Sequence, residues 1–338
     1  MPRLYILILP LILGCLAMSN SGSPTPSAAR GTLLVANKGD QTLGIIDPDA
    51  GQQVATVAEN GITGHEVIAS PDGRLAYVPI YGNSGVGQPG TDGTNLVVVD
   101  IASHKIVGNV DFGHGVRPHC PMFGPKDGML YVSTELDNAI TIIDPHTLKI
   151  VGSVPTGRPE SHMFAITHDG RYAYSTNVGS GTVSVLDLAA RKTLDVISVS
   201  PVVQRIALSV DDRFVFTSDQ SKPQLAVIDT STRKVAQWIP MPATGYGSAA
   251  TPDGNWLVIA LPGAKQVGVI NLKTMKLEHA IDVPAAPQEV LIRPDGAVAY
   301  VSCATSHKVA EIRTSDWTVT RLIDAGPGAD GLAWASQK

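Results

Sequence analysis

Residues 158–187 read RPESHMFAITHDGRYAYSTNVGSGTVSVLD and contain three short apolar segments separated by turns. The first two segments, 163–167 and 171–176, flank His168-Asp169-Gly170, and the third ends at Asp187. Segments of five or six residues bounded by Asp, Gly or Asn are typical of β-strands. Asp-Gly favours a tight turn because glycine takes a positive φ without steric strain. The stretch therefore predicts short strands joined by tight turns.

The same unit recurs along almost the whole chain. An Asp-containing turn precedes the second strand of the unit six times, at Asp72, Asp127, Asp169, Asp211, Asp253 and Asp295. The third strand ends in a similar way seven times, at Asp47, Asp100, Asp144, Asp187, Asp229, Asn271 and Arg313. A period of about 42 residues with four short strands per unit is typical of a β-propeller blade. We predict an all-β, seven-bladed β-propeller over residues 31–338.

The two ends of the repeat region complement each other. The region begins with a strand of the second type, residues 32–37, and ends with a strand of the first type, residues 331–335, that has no successor. An open ring would leave exposed sheet edges, which are prone to aggregation. We therefore predict a composite last blade, with one inner strand from the C-terminus and three outer strands from residues 31–58.

The second strands carry a resemblance to a known family. They read Tyr131-Val-Ser-Thr134, Tyr174-Ser-Thr-Asn177, Phe216-Thr-Ser-Asp219 and Tyr300-Val-Ser-Cys303, each after a turn of the Ser-Pro-Asp-Gly kind. This pattern resembles the Tyr-Val-Thr-Asn repeat of the YVTN β-propeller family and covers residues 31–338. The resemblance implies the propeller fold. The family includes surface-layer and periplasmic binding proteins and is similar to lactonase propellers, but its repeat is structural and implies no single activity.

The N-terminal residues differ from the repeats. Residues 4–17 form an apolar run behind Arg3, too short to span a bilayer, and this pattern predicts a signal peptide over residues 1–17. The run contains Ile-Leu-Gly-Cys15, which resembles a bacterial lipobox. Residues 18–30 are Ser/Pro-rich and are expected to form a linker. We expect export to the periplasm or the medium, with either a lipid anchor at Cys15 as the sole membrane attachment or simple cleavage.

Composition argues against several classes of partner and cofactor. The chain is 43% hydrophobic and 16% charged, with a formal net charge of −5 and no Lys/Arg cluster, so nucleic-acid binding is not expected. Cys120 and Cys303 lie far apart in the repeats, so no disulfide is expected, and the absence of a C-x-x-C-H motif argues against haem c. Residues 85–90 match G-x-G-x-x-G but contain proline and precede no helical pattern, so no nucleotide is expected.

Equivalent positions in the blades predict a ring of side chains at one end of the central channel. The first strand of each blade lines the channel, and its first residue lies seven residues before the turn Asp, or eight in blade two, which has one extra turn residue. For the composite blade, residues 327–334 (PGADGLAW) are matched directly to the start of blade six. The ring consists of His65, His119, His162, Gln204, Tyr246, Gln288 and Asp330. Three imidazoles with an open fourth position suit one transition metal, copper, zinc or iron. The alternative is a solvated mouth lined by polar side chains.

Further candidates come from neighbouring positions. Gln204, Tyr246, Gln288 and Asp330 complete the ring and are expected to contact a ligand. Glu135 and Asp219 end second strands on the same face, and Tyr81 lies in a long glycine-rich segment, residues 80–96. That segment is either a binding loop or a neutral insertion. Glu66, Arg205 and Glu289 follow ring positions by one residue, so strand alternation predicts that they point between the blades.

Three functions fit these features. The first is an exported binding protein that holds a small ligand or transition metal at the channel mouth. The second is a lactonase-like or metal-dependent hydrolase or lyase, with His119 or His162 carrying a proton and Arg205 or Tyr246 steadying an oxyanion. The third is a protein-interaction platform without a small-molecule site. No nucleophile elbow, HExxH or paired-carboxylate motif supports a reaction, so enzymatic activity stays open.

We predict that the full chain is exported and that a radioactive fatty acid labels it when it is expressed in a bacterial host. The substitution Cys15→Ala should abolish the label, because this cysteine is the residue that the lipobox would acylate. Persistent label in Cys15→Ala would contradict lipidation, and retention of the wild type inside the cell would contradict export altogether.

Overall fold

The computed structural model describes Met1, residues 30–83 and residues 85–337. The predicted signal peptide with Cys15 and the predicted linker therefore lie outside the described residues, apart from Met1 and Arg30. In the described part of the chain, no helix is long and apolar enough to cross a membrane.

The described strands form seven four-stranded antiparallel sheets. The first three strands belong to blade seven: β1 (Gly31–Asn37), β2 (Thr42–Asp47) and β3 (Gln52–Ala58). Blade one contains β4 (Ile68–Ala69), β5 (Leu75–Gly82), β6 (Asp92–Asp100) and β7 (Lys105–Asp111). Blade two contains β8 (Pro118–Phe123), β9 (Leu130–Thr134), β10 (Ala139–Asp144) and β11 (Lys149–Pro155). Blade three contains β12 (Ser161–Ile166), β13 (Tyr172–Asn177), β14 (Thr182–Asp187) and β15 (Lys192–Ser198).

The remaining blades follow the same order. Blade four contains β16 (Val203–Leu208), β17 (Phe214–Asp219), β18 (Gln224–Asp229) and β19 (Lys234–Pro240). Blade five contains β20 (Ser248–Ala250), β21 (Trp256–Leu261), β22 (Gln266–Asn271) and β23 (Lys276–Asp282). Blade six contains β24 (Pro287–Ile292), β25 (Val298–Cys303), β26 (Lys308–Arg313) and β27 (Thr318–Asp324). The chain returns to blade seven with β28 (Ala329–Ser336). Among the described residues, short 3-10 turns occupy Val178–Ser180, Pro262–Ala264 and Ala304–Ser306.

The closure of the ring follows the sequence prediction. In blade seven the strand order is β28-β1-β2-β3, with Leu33 opposite Trp334 and Leu34 opposite Ala333. The C-terminal strand is therefore the inner strand of a blade whose other strands come from the start of the repeat region. The seven-bladed propeller and its composite last blade are both confirmed.

The Asp or Asn that ends most third strands stabilises the turn that follows it. The Asp144 carboxylate accepts hydrogen bonds from the His146 backbone N–H at 2.9 Å and from the Thr147 hydroxyl at 2.9 Å. In blade five the equivalent Asn271 side-chain oxygen accepts from the Lys273 backbone N–H at 2.9 Å. Asp and Asn favour such turns because their side chains can bond the backbone two residues on.

Burial is greatest in the middle strands of each blade. The second and third strands of each blade are mainly buried, whereas outer strands such as β7 alternate between exposed and half-buried residues. The apolar core lies between neighbouring blades. Tyr77 and Leu96 of blade one, for example, pack with Leu130 and Val132 of blade two. Hydrophobic burial between adjacent blades therefore holds the ring together.

The inner strands contain an irregularity at their channel-mouth end. In blade two, Pro118 pairs with Thr134 but Pro121 pairs with Val132, so the inner strand has one residue more than its partner. The same one-residue bulge lies between Ser161 and Phe164, between Val203 and Ile206, and between Pro287 and Val290. A β-bulge leaves an extra residue unpaired and redirects side chains. Each of these bulges includes a predicted ring residue and the residue after it.

Candidate functional site

The structure brings the three predicted histidines together at the start of their inner strands. The ring centres of His119 and His162 lie 3.9 Å apart at an interplanar angle of 33°, and His65 lies 5.5 Å from His119, edge to face. His119 and His162 are buried, whereas His65 is half-buried. His65 is therefore the imidazole of this cluster that a ligand entering the mouth meets first.

Tyr81 packs among these histidines. Its ring centre lies 4.6 Å from that of His65, 5.1 Å from His119 and 6.0 Å from His162, and the residue is fully buried. The Tyr81 hydroxyl donates a hydrogen bond to Glu135 Oε2 at 2.8 Å. Tyr81 is the penultimate residue of β5, so the long segment begins as an extension of that strand, and residues 85–91 belong to the loop that precedes β6. The four rings form one aromatic cluster at the mouth.

Glu135 connects this cluster to the loop. His162 Nδ1 lies 3.1 Å from Glu135 Oε2, and Arg117 Nη1 donates to Glu135 Oε1 at 3.4 Å. Because a carboxylate only accepts, His162 carries its proton on Nδ1. Arg117 also donates to Asp92 Oδ1 and to the Gln88 carbonyl, both at 2.6 Å, and so ties the loop to the mouth. Sequence reasoning missed Arg117, although its position two residues before His119 was a usable signal.

Burial keeps the imidazoles neutral. It lowers the pKa of His65 to about 3 and the pKa of His119 well below its ordinary value. Burial also lowers the pKa of His162, although Glu135 opposes that shift. The cluster therefore contains neutral imidazole nitrogens of the kind that bind metals. One of them, His119 Nδ1, is buried and has no hydrogen-bond partner among the described residues.

The rings do not form the predicted three-histidine metal arrangement. His162 already uses both nitrogens, since its Nε2 lies 3.3 Å from the Gln204 side-chain nitrogen, which can donate to it. Its ring lies against that of His119 as a packing contact. Within residues 30–83 and 85–337, no group of three or more His, Cys, Asp or Glu side chains is placed to hold a metal ion.

The other predicted site residues have different surroundings. Gln204, Tyr246 and Gln288 are half-buried at the mouth, and the last two line a neighbouring cavity of about 600 Å³ on the same face. Asp330 is buried and accepts a hydrogen bond from Lys38 Nζ at 3.1 Å. The Asp219 carboxylate accepts from Ser221 and Gln224 and stabilises its own turn.

The prediction that Glu66, Arg205 and Glu289 point between the blades is wrong. Arg205 Nη1 donates to Glu66 Oε1 and Glu289 Oε2, and its Nη2 donates to Asp330 Oδ1 at 3.4 Å. These carboxylates belong to blades one, six and seven, whereas Arg205 belongs to blade four, so they meet across the channel. The bulge explains the error, because it turns two consecutive side chains inward where regular alternation would turn only one.

These residues form a second ring, one layer below the mouth. Its members are Glu66, Cys120, Met163, Arg205, Gly247, Glu289 and Gly331. The two glycines leave room for the carboxylates. A Cβ atom on Gly331 would lie 2.6 Å from Glu66 Oε2, and one on Gly247 would lie 2.7 Å from Glu289 Oε2. The guanidinium of Arg205 also lies over the Tyr246 ring, 4.4 Å from its centre. Cys120 and Cys303 are both free and buried.

Comparisons with known proteins identify related propellers. A family model described as "Cytochrome D1 heme domain" matches residues 128–276, less than half of the chain. The seven-bladed beta-propeller protein Rv1057 of Mycobacterium tuberculosis is 32% identical over 137 residues. That alignment covers 40% of this chain and 32% of the relative's length.

Two solved structures show the same fold at low sequence identity. The hydrazine synthase of Kuenenia stuttgartiensis has a TM-score of 0.70 at 20% identity, covering 87% of this chain and 99% of that chain. The dihydro-heme d1 dehydrogenase NirN in complex with DHE has a TM-score of 0.66 at 16% identity, covering 93% of this chain and 78% of that chain. At these identities the likeness shows the fold alone.

The comparisons overturn the cofactor expectation. The sequence predicted a bare copper, zinc or iron ion and argued against haem c, whereas the matching family model describes a haem domain and NirN is named for a haem d1 derivative. The cofactor class that the comparisons indicate is haem, and the expectation of a bare ion is wrong. Sequence reasoning had no signal for this, because it searched only for a covalent attachment motif.

The neutral histidines predict an acid-sensitive fold. Below pH 6.5 an unfolded chain protonates its histidines, whereas the folded cluster stays neutral, so the free energy of unfolding should fall as the pH drops. Each such histidine contributes about 1.4 kcal/mol per pH unit. In His65→Asn, urea unfolding between about pH 6 and pH 4 should show a slope smaller by that amount. The exposed His146→Asn is the control. A wild-type slope in His65→Asn would contradict the assignment.

Proposed function

We propose that this protein is a ligand-binding β-propeller that takes a haem-class tetrapyrrole at the channel mouth. The observation that carries the proposal is the cluster of neutral imidazoles with half-buried His65 at its open side. The match to a haem-domain family model supports the same ligand class. Haem iron is commonly held by a neutral histidine, and burial keeps the pKa of His65 low enough for that role.

The donor set at the mouth fits a haem. His65 would hold the iron, because His119 and His162 lie behind it against Tyr81. His119 Nδ1 gives the cluster an unused polar atom toward which a bound group or a water could direct a hydrogen bond. When bound, a haem supplies a redox-active iron, and the protein contributes binding, orientation and electrostatics.

A cation and an adjoining cavity suit the periphery of such a ligand. Lys38 keeps 37% of its side chain exposed, and although burial opposes its charge, the attraction of Asp330 raises its pKa. It would pair with a carboxylate of the tetrapyrrole. Tyr246 and Gln288 line the mouth-side cavity of about 600 Å³, a volume within the range of small-molecule sites.

The hydrogen-bond network behind His65 would hold the site rigid. Glu135 fixes the orientation of His162 and Tyr81, and Arg117 fixes the loop through Asp92 and the Gln88 carbonyl. The pKa of Glu135 lies below its ordinary value, since contacts from His162, Tyr81 and Arg117 outweigh the effect of burial. Glu135 and Arg117 are therefore positioning residues in this proposal.

We also propose that the propeller works outside the cytoplasm and belongs among the YVTN-type binding propellers. The apolar run of residues 4–17 supports export, and the second-strand sequences support the YVTN assignment. Neither the lactonase-like alternative nor the interaction platform has a contact at the mouth that favours it over ligand binding.

Titration with haemin tests the proposal through the absorbance spectrum. The wild type should bind one equivalent with a shifted Soret band. Removing a residue that only hydrogen-bonds to a metal-ligating side chain typically lowers metal affinity roughly 10–100-fold. His65→Ala removes the iron-ligating side chain itself, so it should weaken haemin binding at least about tenfold. The exposed His146→Ala should bind like the wild type. Unchanged affinity in His65→Ala would rule out the assigned ligand, and no binding by the wild type would rule out the function.

A further inference from the structure

The channel contains a second cavity, on the side away from the histidine mouth. It has a volume of about 610 Å³ and is lined by inner strands of all seven blades. Apolar side chains dominate the wall, among them Met122, Phe164, Leu208, Leu291 and Trp334. Ser70 and Pro294 of the first turns line its outer part. The cavity is therefore an apolar tube entered from the face opposite His65.

Two carboxyl groups belong to this tube. Glu66 and Glu289 line the cavity and also form part of the second ring around Arg205. The layer of Arg205 with its partners separates the tube from the mouth. A ligand in the tube would thus meet apolar surface along its length and two carboxyl groups at its inner end.

The carboxyl groups at the inner end of the tube outnumber the cations that contact them. Glu66 and Glu289 share a single Arg205 nitrogen, Nη1, while Nη2 contacts Asp330. The only other cation in this network among the described residues, Lys38, contacts Asp330. Burial raises the pKa of Glu66 to about 8 and that of Glu289 to about 7, although Arg205 counteracts both shifts. Three carboxyl groups therefore face two cations in this network, and the two that line the tube share one guanidinium nitrogen.

The layer is built to hold these carboxyl groups. Gly247 and Gly331 occupy the ring positions beside them, where any Cβ would come within 2.7 Å of a Glu289 or Glu66 oxygen. Arg205 Nε is buried and has no hydrogen-bond partner among the described residues. The Arg205 guanidinium therefore contacts the carboxyl groups through its terminal nitrogens alone. Buried carboxylates need a compensating charge, and an incoming cation would supply it.

We propose that the tube binds an amphipathic organic cation, a primary alkylammonium whose chain lies along the apolar wall and whose ammonium group pairs with Glu66 and Glu289. Charge complementarity selects this ligand. An alkyl carboxylate would place a like charge against two carboxyl groups, and an alcohol would form no ion pair with them. The site is independent of the proposed haem site, because it lies beyond the Arg205 layer.

The test measures the binding of n-octylammonium, 1-octanol and octanoate to the folded protein. Calorimetry and tryptophan fluorescence are the two readouts. Trp334 lines the tube, so the fluorescence change should disappear in Trp334→Phe while the calorimetric signal remains. Octylammonium should bind saturably and at least about tenfold more tightly than octanol, and octanoate should not compete. Glu289→Gln should weaken octylammonium binding about tenfold. The exposed Glu278→Gln is the matched control, and His65→Ala should also bind normally.

Equal binding of octanol and octylammonium, preferential binding of octanoate, or unchanged affinity in Glu289→Gln would overturn the proposal. A second measurement covers the case in which Glu289→Gln does not fold. The ammonium should displace a proton from the carboxyl pair near pH 7, so the wild-type binding enthalpy should vary with the ionisation enthalpy of the buffer. A binding enthalpy that is the same in all buffers would overturn the proposal as well.

Discussion

Arg205 lies on the channel axis because one extra residue in the inner strand of blade four turns its side chain inward. Its guanidinium then meets carboxylates from blades one, six and seven. Removing one partner of such a buried ion pair leaves an uncompensated charge, which typically destabilises a protein by about 3–5 kcal/mol. The ion cluster therefore depends on the bulge, and the Arg205 side chain links blade four to blades one, six and seven across the channel.

This layer divides the channel into two ends of different chemistry. Above it, neutral imidazoles and Tyr81 form an aromatic cluster that Glu135 and Arg117 hold in place. Below it, apolar side chains line the wall. At the inner end lie the carboxyl groups of Glu66 and Glu289, which share one nitrogen of Arg205. Burial acts in opposite senses on the two ends, since it lowers the pKa of His65 and raises the pKa of Glu66. One fold thus places neutral imidazoles at one end of the channel and buried carboxyl groups toward the other.

The fold could be read from the sequence because each blade repeats the same turn chemistry, as Asp144 and Asn271 show. The histidine cluster could also be predicted, since equivalent strand starts must face one axis. The second ring could not, because strand alternation assumes regular pairing and nothing in the sequence marks a one-residue bulge. Arg117 was missed because the blade alignment selected only the ring positions and the residues directly after them, whereas Arg117 lies two residues before one. The haem class that the comparisons indicate could not be predicted from the sequence, because a propeller fold does not determine what it binds.

The bulge in blade four brings Arg205 into contact with Glu66 across the channel, although the two residues lie 139 positions apart in the sequence. A double-mutant cycle of Glu66→Gln and Arg205→Gln, measured by the free energy of unfolding in urea, tests it most directly. Residues in direct contact typically show a coupling energy of about 0.5–3 kcal/mol, and we predict a value in that range. Additive effects, with a coupling within about 0.3 kcal/mol of zero, would mean that the two side chains do not meet and would contradict the two-ring channel.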